Sequence, residues 1–181
     1  ADLEIPGLEE LARVFNAAVI LHAKIRDGSM RQYADDKSIP FLLYEAGEAL
    51  RFDELSIKVG VNGILNVMHQ LGMLPIKHSH HSKIEAAVAK GSYWVRTPRS
   101  GLLSSNKKLG KSVKKGDLLA IIANPMNTDE HKVLSPMDGI IIVKSNMPMV
   151  HEGAAIFNIA VFSEIEYVSE QLEYMKETYI D

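Results

Sequence analysis

The sequence predicts an α/β segment followed by an all-β domain. Short apolar runs alternate with helically spaced segments up to about residue 75, and a countable internal repeat occupies residues 91–162. Composition agrees: 46% hydrophobic, 24% charged and 7% aromatic residues describe a chain that buries a core.

The first segment reads element by element. Pro6 in a first turn, then Leu8, Leu11, Ala12 and Phe15, predicts a short amphipathic helix. Val19, Ile20 and Leu21 form a buried-strand candidate, and Ser29 is placed to cap a helix reaching about Lys37. Pro40 opens Phe41, Leu42, Leu43 and Tyr44, a second apolar run suited to a strand covered on both faces. From Asp53 onward, Ile57, Val61, Ile64, Leu65, Met68 and Leu71 recur at helical spacing, which predicts a long helix to about Gly72 that Pro75 ends. Helices alternating with buried strands imply an α/β layer arrangement.

The second segment differs in kind. Val95, Pro98 and Gly101 return as Val133, Pro136 and Gly139, 38 residues on. Val113, Gly116 and Leu119 return as Val150, Gly153 and Ile156, 37 residues on. Short strand, glycine turn, short strand, repeated with one residue of slippage, predicts two intertwined β units closing one small barrel. Residues 164–179 then place Ile165, Val168, Leu172 and Met175 at helical spacing, which suits a closing amphipathic helix or a strand. The expected organisation is a domain over 1–76, a linker over 77–90, a β domain over 91–162 and a closing segment over 163–181.

Charge and composition narrow the function classes. Twenty basic against 23 acidic residues leave a net charge of −3, which argues against a general nucleic-acid or anionic-membrane partner. The absence of cysteine removes disulfides, thiolate nucleophiles and Cys-ligated metals, and fits a cytoplasmic location. No apolar run approaches the roughly 18 residues a membrane span requires, and the opening residues lack the pattern of a secretory signal. A start at Ala1 fits either removal of an initiator methionine or a chain cut from a longer one.

Few residues carry chemistry on their own. His78, His80 and His81 would attract zinc or nickel, yet they lie in a polar run without the fixed geometry a built site needs, so an incidental role is expected. Taken alone, the chain supplies no metal site. Glu45 is different: it ends an apolar run and precedes Gly47, where open α/β sheets place catalytic groups, although a capping or ion-pairing role fits the same position.

The stretch from Gly28 to Leu74, centred on Tyr44, Glu45, Ala46, Gly47, Glu48 and Ala49, resembles the succinylglutamate desuccinylase/aspartoacylase family, and the β tail from Val95 to Ala160 fits it as well. That resemblance implies a zinc-dependent hydrolase with a carboxypeptidase-like α/β domain and a small C-terminal β domain. It implies that zinc polarises an amide carbonyl and a bound water, and that Glu45 takes the water's proton and returns it to the leaving amine. Tyr33 and Lys37 match a segment that holds the substrate, with Arg31 as an alternative cation; Lys37 stands where better-known members use arginine, and lysine lacks the bidentate fork. An exposed amphipathic helix accounts for the same three residues.

The family's His-x-x-Glu pair and second histidine stand upstream of the general base, whereas here His22 is the sole histidine before Glu45 and Ile25 follows it by three residues. The expectation is therefore the C-terminal half of a longer hydrolase acting on an N-acyl amino acid, with zinc ligands upstream and no activity alone. The competing expectation is noncatalytic. The β repeats resemble biotinyl/lipoyl carrier domains and related barrel-sandwich hybrids, but Thr128 occupies the place of the modified lysine, which leaves a binding, assembly or self-association module.

Overall fold

The structure is a computed structural model and describes residues 1–75, 86–126 and 129–180. It divides into two units, Ala1–Val88 with Tyr174–Asp181 and Ala89–Glu173.

In the first unit, α1 (Leu8–Phe15) leads into β1 (Val19–Leu21), followed by α2 (Met30–Asp36) and α3 (Glu54–Gln70). The capping chemistry is as the sequence predicts at α2, where the Ser29 hydroxyl accepts the Gln32 N–H at 3.2 Å. Asp53 does the same for α3, accepting from the Ser56 N–H at 2.7 Å. Past the last turn of α3, Gly72 adopts a φ of 69°, so the helix stops before Pro75 is reached. β1 pairs with β2 (Ala87–Ala89), and a small core gathers Ala12, Ile20 and Ala86 under Leu3, Leu42 and Val88.

One expectation for this unit fails. Residues 41–44 form no strand, because among the described residues no neighbouring strand offers them a hydrogen-bonding ladder. Leu43 is 53% exposed there, so the run is not covered on both faces. α3 forms where its spacing predicts, with its periodic apolar face half exposed. Gly60 and Gly63 are buried instead, because two aromatic rings lie against them: a Cβ on Gly60 would stand 3.0 Å from the Tyr44 ring, and one on Gly63 would stand 2.5 Å from that of Phe15. The two rings pack on each other with centroids 5.2 Å apart.

The second unit holds β3 (Gly91–Arg96), β4 (Gly101–Ser104), β5 (Ser112–Val113), β6 (Leu118–Ala123), β7 (Glu130–Leu134), β8 (Gly139–Lys144), β9 (Met149–Val150), β10 (Ala155–Val161) and the start of α4 (Ile165–Ile180). The strands make two four-stranded antiparallel sheets, ordered β3-β10-β8-β5 and β7-β6-β4-β9. The repeat explains this order. Its offset carries β3 to β7, β4 to β8, β5 to β9 and β6 to β10, and applied to the first sheet it reproduces the second strand by strand. Each sheet therefore takes two strands from each repeat, and the units are intertwined as predicted.

The correspondence extends to single bonds. Thr97 N–H donates to Ala154 O at 2.9 Å and Ser135 N–H to Asp117 O at 2.8 Å; Gly153 N–H donates to Thr97 O and Gly116 N–H to Ser135 O, both at 2.8 Å. Gly116 and Gly153 turn at φ of 91° and 78°, a region that L side chains rarely adopt. One core takes matched residues from both sheets: Val95 with Val133, Val113 with Val150, Leu119 with Ile156, and Ile122 with Ile159. Residues 165–180 settle as a helix, with Val168 and Leu172 buried and the Ser169 hydroxyl donating to Gly110 O at 3.0 Å. Tyr93 and Trp94 on β3 are 52% and 42% exposed.

Gly101 and Gly139 occupy equivalent close approaches: a Cβ would stand 2.6 Å from Ala123 O and 2.5 Å from Ala160 O respectively. Backbone oxygens cannot swing aside, so Gly101→Ala and Gly139→Ala should each destabilise this unit by about 1–3 kcal/mol. Denaturant unfolding followed by Trp94 fluorescence checks this. A neutral result at either position would contradict the close approach.

Candidate functional site

Glu45 lies in the connection between α2 and α3, and its backbone position is set by Tyr44. The Tyr44 ring rests on Gly60, and its hydroxyl donates to Ser56 O at 2.9 Å, which pins residue 44 against the first turns of α3. Burial first and the Asp53 charge second push the Tyr44 hydroxyl above its ordinary pKa, against the opposing hydrogen bond with Ser56. The group therefore stays a donor throughout the neutral range. The Glu45 side chain itself is exposed. On its far side, Glu48 and Arg51 pair at 3.3 Å across the turn that leads to the Asp53 cap.

Arg31, Tyr33 and Lys37 do not form one cluster. Arg31 is turned toward the segment before α2, its Nη1 donating to Ala23 O at 2.9 Å and its Nη2 to Lys24 O at 3.0 Å. Tyr33 and Lys37, four residues apart, share another side of α2, with the Lys37 Nζ 5.9 Å from the Tyr33 ring centroid. Residues 31 and 33 point about 200° apart around a helix, which accounts for the division. Arg31 and Glu45 do act on one group: burial and then the Arg31 charge lower the Ala1 amino group's pKa, while Asp2 and Glu45 oppose them.

The donors among the described residues do not make a zinc site. Among the described residues no group of three or more His, Cys, Asp or Glu is placed to hold a metal ion. His22 lies beside two carboxylates, but its Nδ1 accepts the Leu3 N–H at 3.2 Å, and Asp2 and Glu4 stand about opposite ring nitrogens, 4.0 and 3.9 Å away. The histidines at 78, 80 and 81, and Thr128, lie outside the described residues.

The β unit has a concavity of its own, about 230 Å³, where Tyr93, Arg96 and Pro98 of the first repeat meet their counterparts His131, Leu134 and Pro136 of the second. It holds none of the candidate catalytic residues. What sequence reading missed was Tyr44 as the anchor of Glu45; the signal was present in Gly60 and Gly63, two glycines in a helix interior, where a ring or a backbone usually approaches.

No family model matches this sequence, and a search of curated proteins finds no similar chain. Solved structures do match. A succinylglutamate desuccinylase/aspartoacylase from Rhodobacter sphaeroides superposes with a TM-score of 0.76 at 20% identity, over 88% of this chain and 51% of that one. A succinylglutamate desuccinylase from Silicibacter sp. TM1040 gives 0.75 at 20% identity, over 89% and 51%. The product-bound ectoine utilization protein EutE (DoeB) from Ruegeria pomeroyi gives 0.76 at 18% identity, over 86% and 48%. The chain thus has the fold of part of these proteins and spans about half their length. No helix among the described residues is long and apolar enough to cross a membrane.

The Asp53 cap carries a prediction. Hydrogen bonds from Ser56, side chain first and backbone second, hold the Asp53 carboxyl below its ordinary pKa. A depressed carboxyl contributes stability that is present above the unfolded value, about 3.9, and is lost as pH falls through the folded one. Asp53→Ala should cost about 1 kcal/mol at pH 7. Asp53→Asn should keep the cap but lose its acid dependence, so its difference from the parent should change only in the acid range. Urea unfolding followed by circular dichroism at neutral and acid pH reads both.

Proposed function

We propose that this chain is part of a zinc-dependent hydrolase that cleaves the amide bond of an N-acyl amino acid, with Glu45 as general base. The observation that carries the reading is the superposition, at a TM-score of 0.76 over 88% of the chain, on a structure described as a succinylglutamate desuccinylase/aspartoacylase. Residues 1–76 belong to the carboxypeptidase-like catalytic domain, 77–90 link it to a barrel-sandwich β domain over 91–162, and 163–181 close the chain. The zinc ligands belong to polypeptide outside residues 1–181, and the chain alone is inactive.

The role of Glu45 follows from its place. An exposed carboxylate whose backbone is fixed, here through Tyr44, can take a proton from an attacking water and return it to the departing amine. Tyr33 and Lys37 supply a hydroxyl and a positive charge for the substrate's carboxylate. Arg31, with both terminal nitrogens on backbone carbonyls, shapes the segment beside them.

A second reading, a noncatalytic assembly module that self-associates, draws on the β unit, whose interleaved sheets suit a biotinyl/lipoyl-like fold without the modified lysine. One variant separates the two. In the polypeptide as its native source makes it, Glu45→Gln keeps the shape and removes the base, so amide hydrolysis should fall by about 10²-fold or more. Mass and metal analysis should find a longer polypeptide with about one zinc. An unchanged rate removes Glu45 from the mechanism; a metal-free, inactive polypeptide favours the assembly module.

A further inference from the structure

The concavity of the β unit lies between two sheet edges. β3 ends one sheet and β7 ends the other, and each is paired on one side only among the described residues. The repeat gives the concavity two kinds of lining. Val95 and Val133 are equivalents, as are Pro98 and Pro136, and both pairs carry the same residue in the two repeats. The valines also belong to the core and are 5% and 6% exposed. These positions meet the needs of the fold. The others are unmatched: Arg96 stands where the second repeat has Leu134, and Lys132 stands where the first has Trp94. One strand geometry accepts either residue at such a position, so packing does not account for the two cations.

Charge and shape point the same way. The lining holds Arg96, Lys132 and His131 and, among the described residues, no carboxylate, in a chain whose net charge is −3. Glu130 is close by on β7 but outside the lining. The Arg96 Nη1 donates to Gly153 O at 2.8 Å, which holds the guanidinium and uses one of the five N–H donors such a group carries. Neither Arg96 nor Lys132 has a carboxylate at ion-pair distance among the described residues. The space of about 230 Å³ lies just below the range of about 300–1,000 Å³ that drug-sized ligands occupy, so it admits only a short body. An extended peptide is the poorer occupant, because Lys132 on β7 and prolines just past the ends of both strands are features that keep an added strand off an edge.

We propose that this concavity binds a small carboxylic acid with a short aromatic or branched apolar body. The carboxylate meets Arg96, whose planar fork matches two oxygens, and Lys132 supplies a second positive charge. The apolar body rests on Val95 and Val133, with Tyr93 and His131 as equivalent rings on the two strands. A bare inorganic anion would leave that apolar floor uncovered. The inference does not rest on the hydrolase reading, since every residue it uses belongs to the β unit.

The test takes 3-phenylpropionate as its probe, titrated into the polypeptide as its native source makes it and followed by NMR of the valine methyl groups and the His131 ring. Saturable shifts at Val95, Val133 and His131 are expected, with a Kd of about millimolar for a ligand of this size. The amide 3-phenylpropanamide has the body without the charge, and inorganic phosphate has the charge without the body. Each should bind about 10-fold more weakly. Arg96→Gln and Lys132→Gln should each weaken the acid by about 3–10-fold, with Trp94 fluorescence unchanged. Arg96→Gln also removes the bond to Gly153 O, so Lys132→Gln decides the matter if the first variant unfolds. The absence of a saturable shift up to about 50 mM probe overturns the inference, and the charges then serve only to blunt two sheet edges. Equal binding of the amide or of phosphate overturns it too. Binding that is unchanged in both variants places the acid elsewhere, a hydrolase substrate pocket included, and also overturns it.

Discussion

Neither β repeat can bury its own apolar face. A stretch of strand, turn and strand offers one hydrophobic side and two open edges, and this chain meets that constraint by interleaving two of them. Each sheet takes two strands from each repeat, so Val95 needs Val133 and Ile122 needs Ile159 in one common core. The close approaches at Gly101 and Gly139 are the geometric signature of the arrangement. At both, a strand start runs so near the backbone of a central strand that no side chain fits.

The α unit solves its packing differently and less completely. Its small core is built largely of alanine and isoleucine, and the bulkiest contact is the pair of rings laid into α3 over Gly60 and Gly63. That seat is what gives Glu45 a defined position, because the residue before it is held at ring and hydroxyl while the residue itself faces outward. The contrast between the units is one of closure: one supplies both halves of its own core, and the other carries an apolar stripe with half its surface in water.

How much of this was legible in the sequence depended on whether the determining contact was local. Helix starts at Ser29 and Asp53, and the courses of α2 and α3, follow from capping chemistry and spacing within a few residues, whereas the spacing over residues 164–179 left helix and strand both open. The repeat was legible because its glycines and prolines return at a fixed offset. The strand expected at residues 41–44 was not legible in the same sense: an apolar run becomes a strand only when another strand lies beside it, and that information is not local. For the site, position along the chain suggested Glu45, Arg31, Tyr33 and Lys37, but the rotation of α2 turns Arg31 away from Tyr33 and Lys37. Tyr44 was passed over because its importance lies in contacts well downstream of it, with Gly60 and Ser56.

The placement of β10 also sets a timetable. It is the last strand among the described residues, yet it stands between β3 and β8 in the interior of its sheet. Until Val161 has been synthesised, β3 has no neighbour and β8 lacks one edge, so the β unit cannot close progressively from its N-terminus. Ribosome-bound chains that stop before residue 155 leave two apolar strands waiting, and such long-range pairing is slow and open to aggregation. Folding of this unit is therefore a concerted event that waits for the strand ending at Val161.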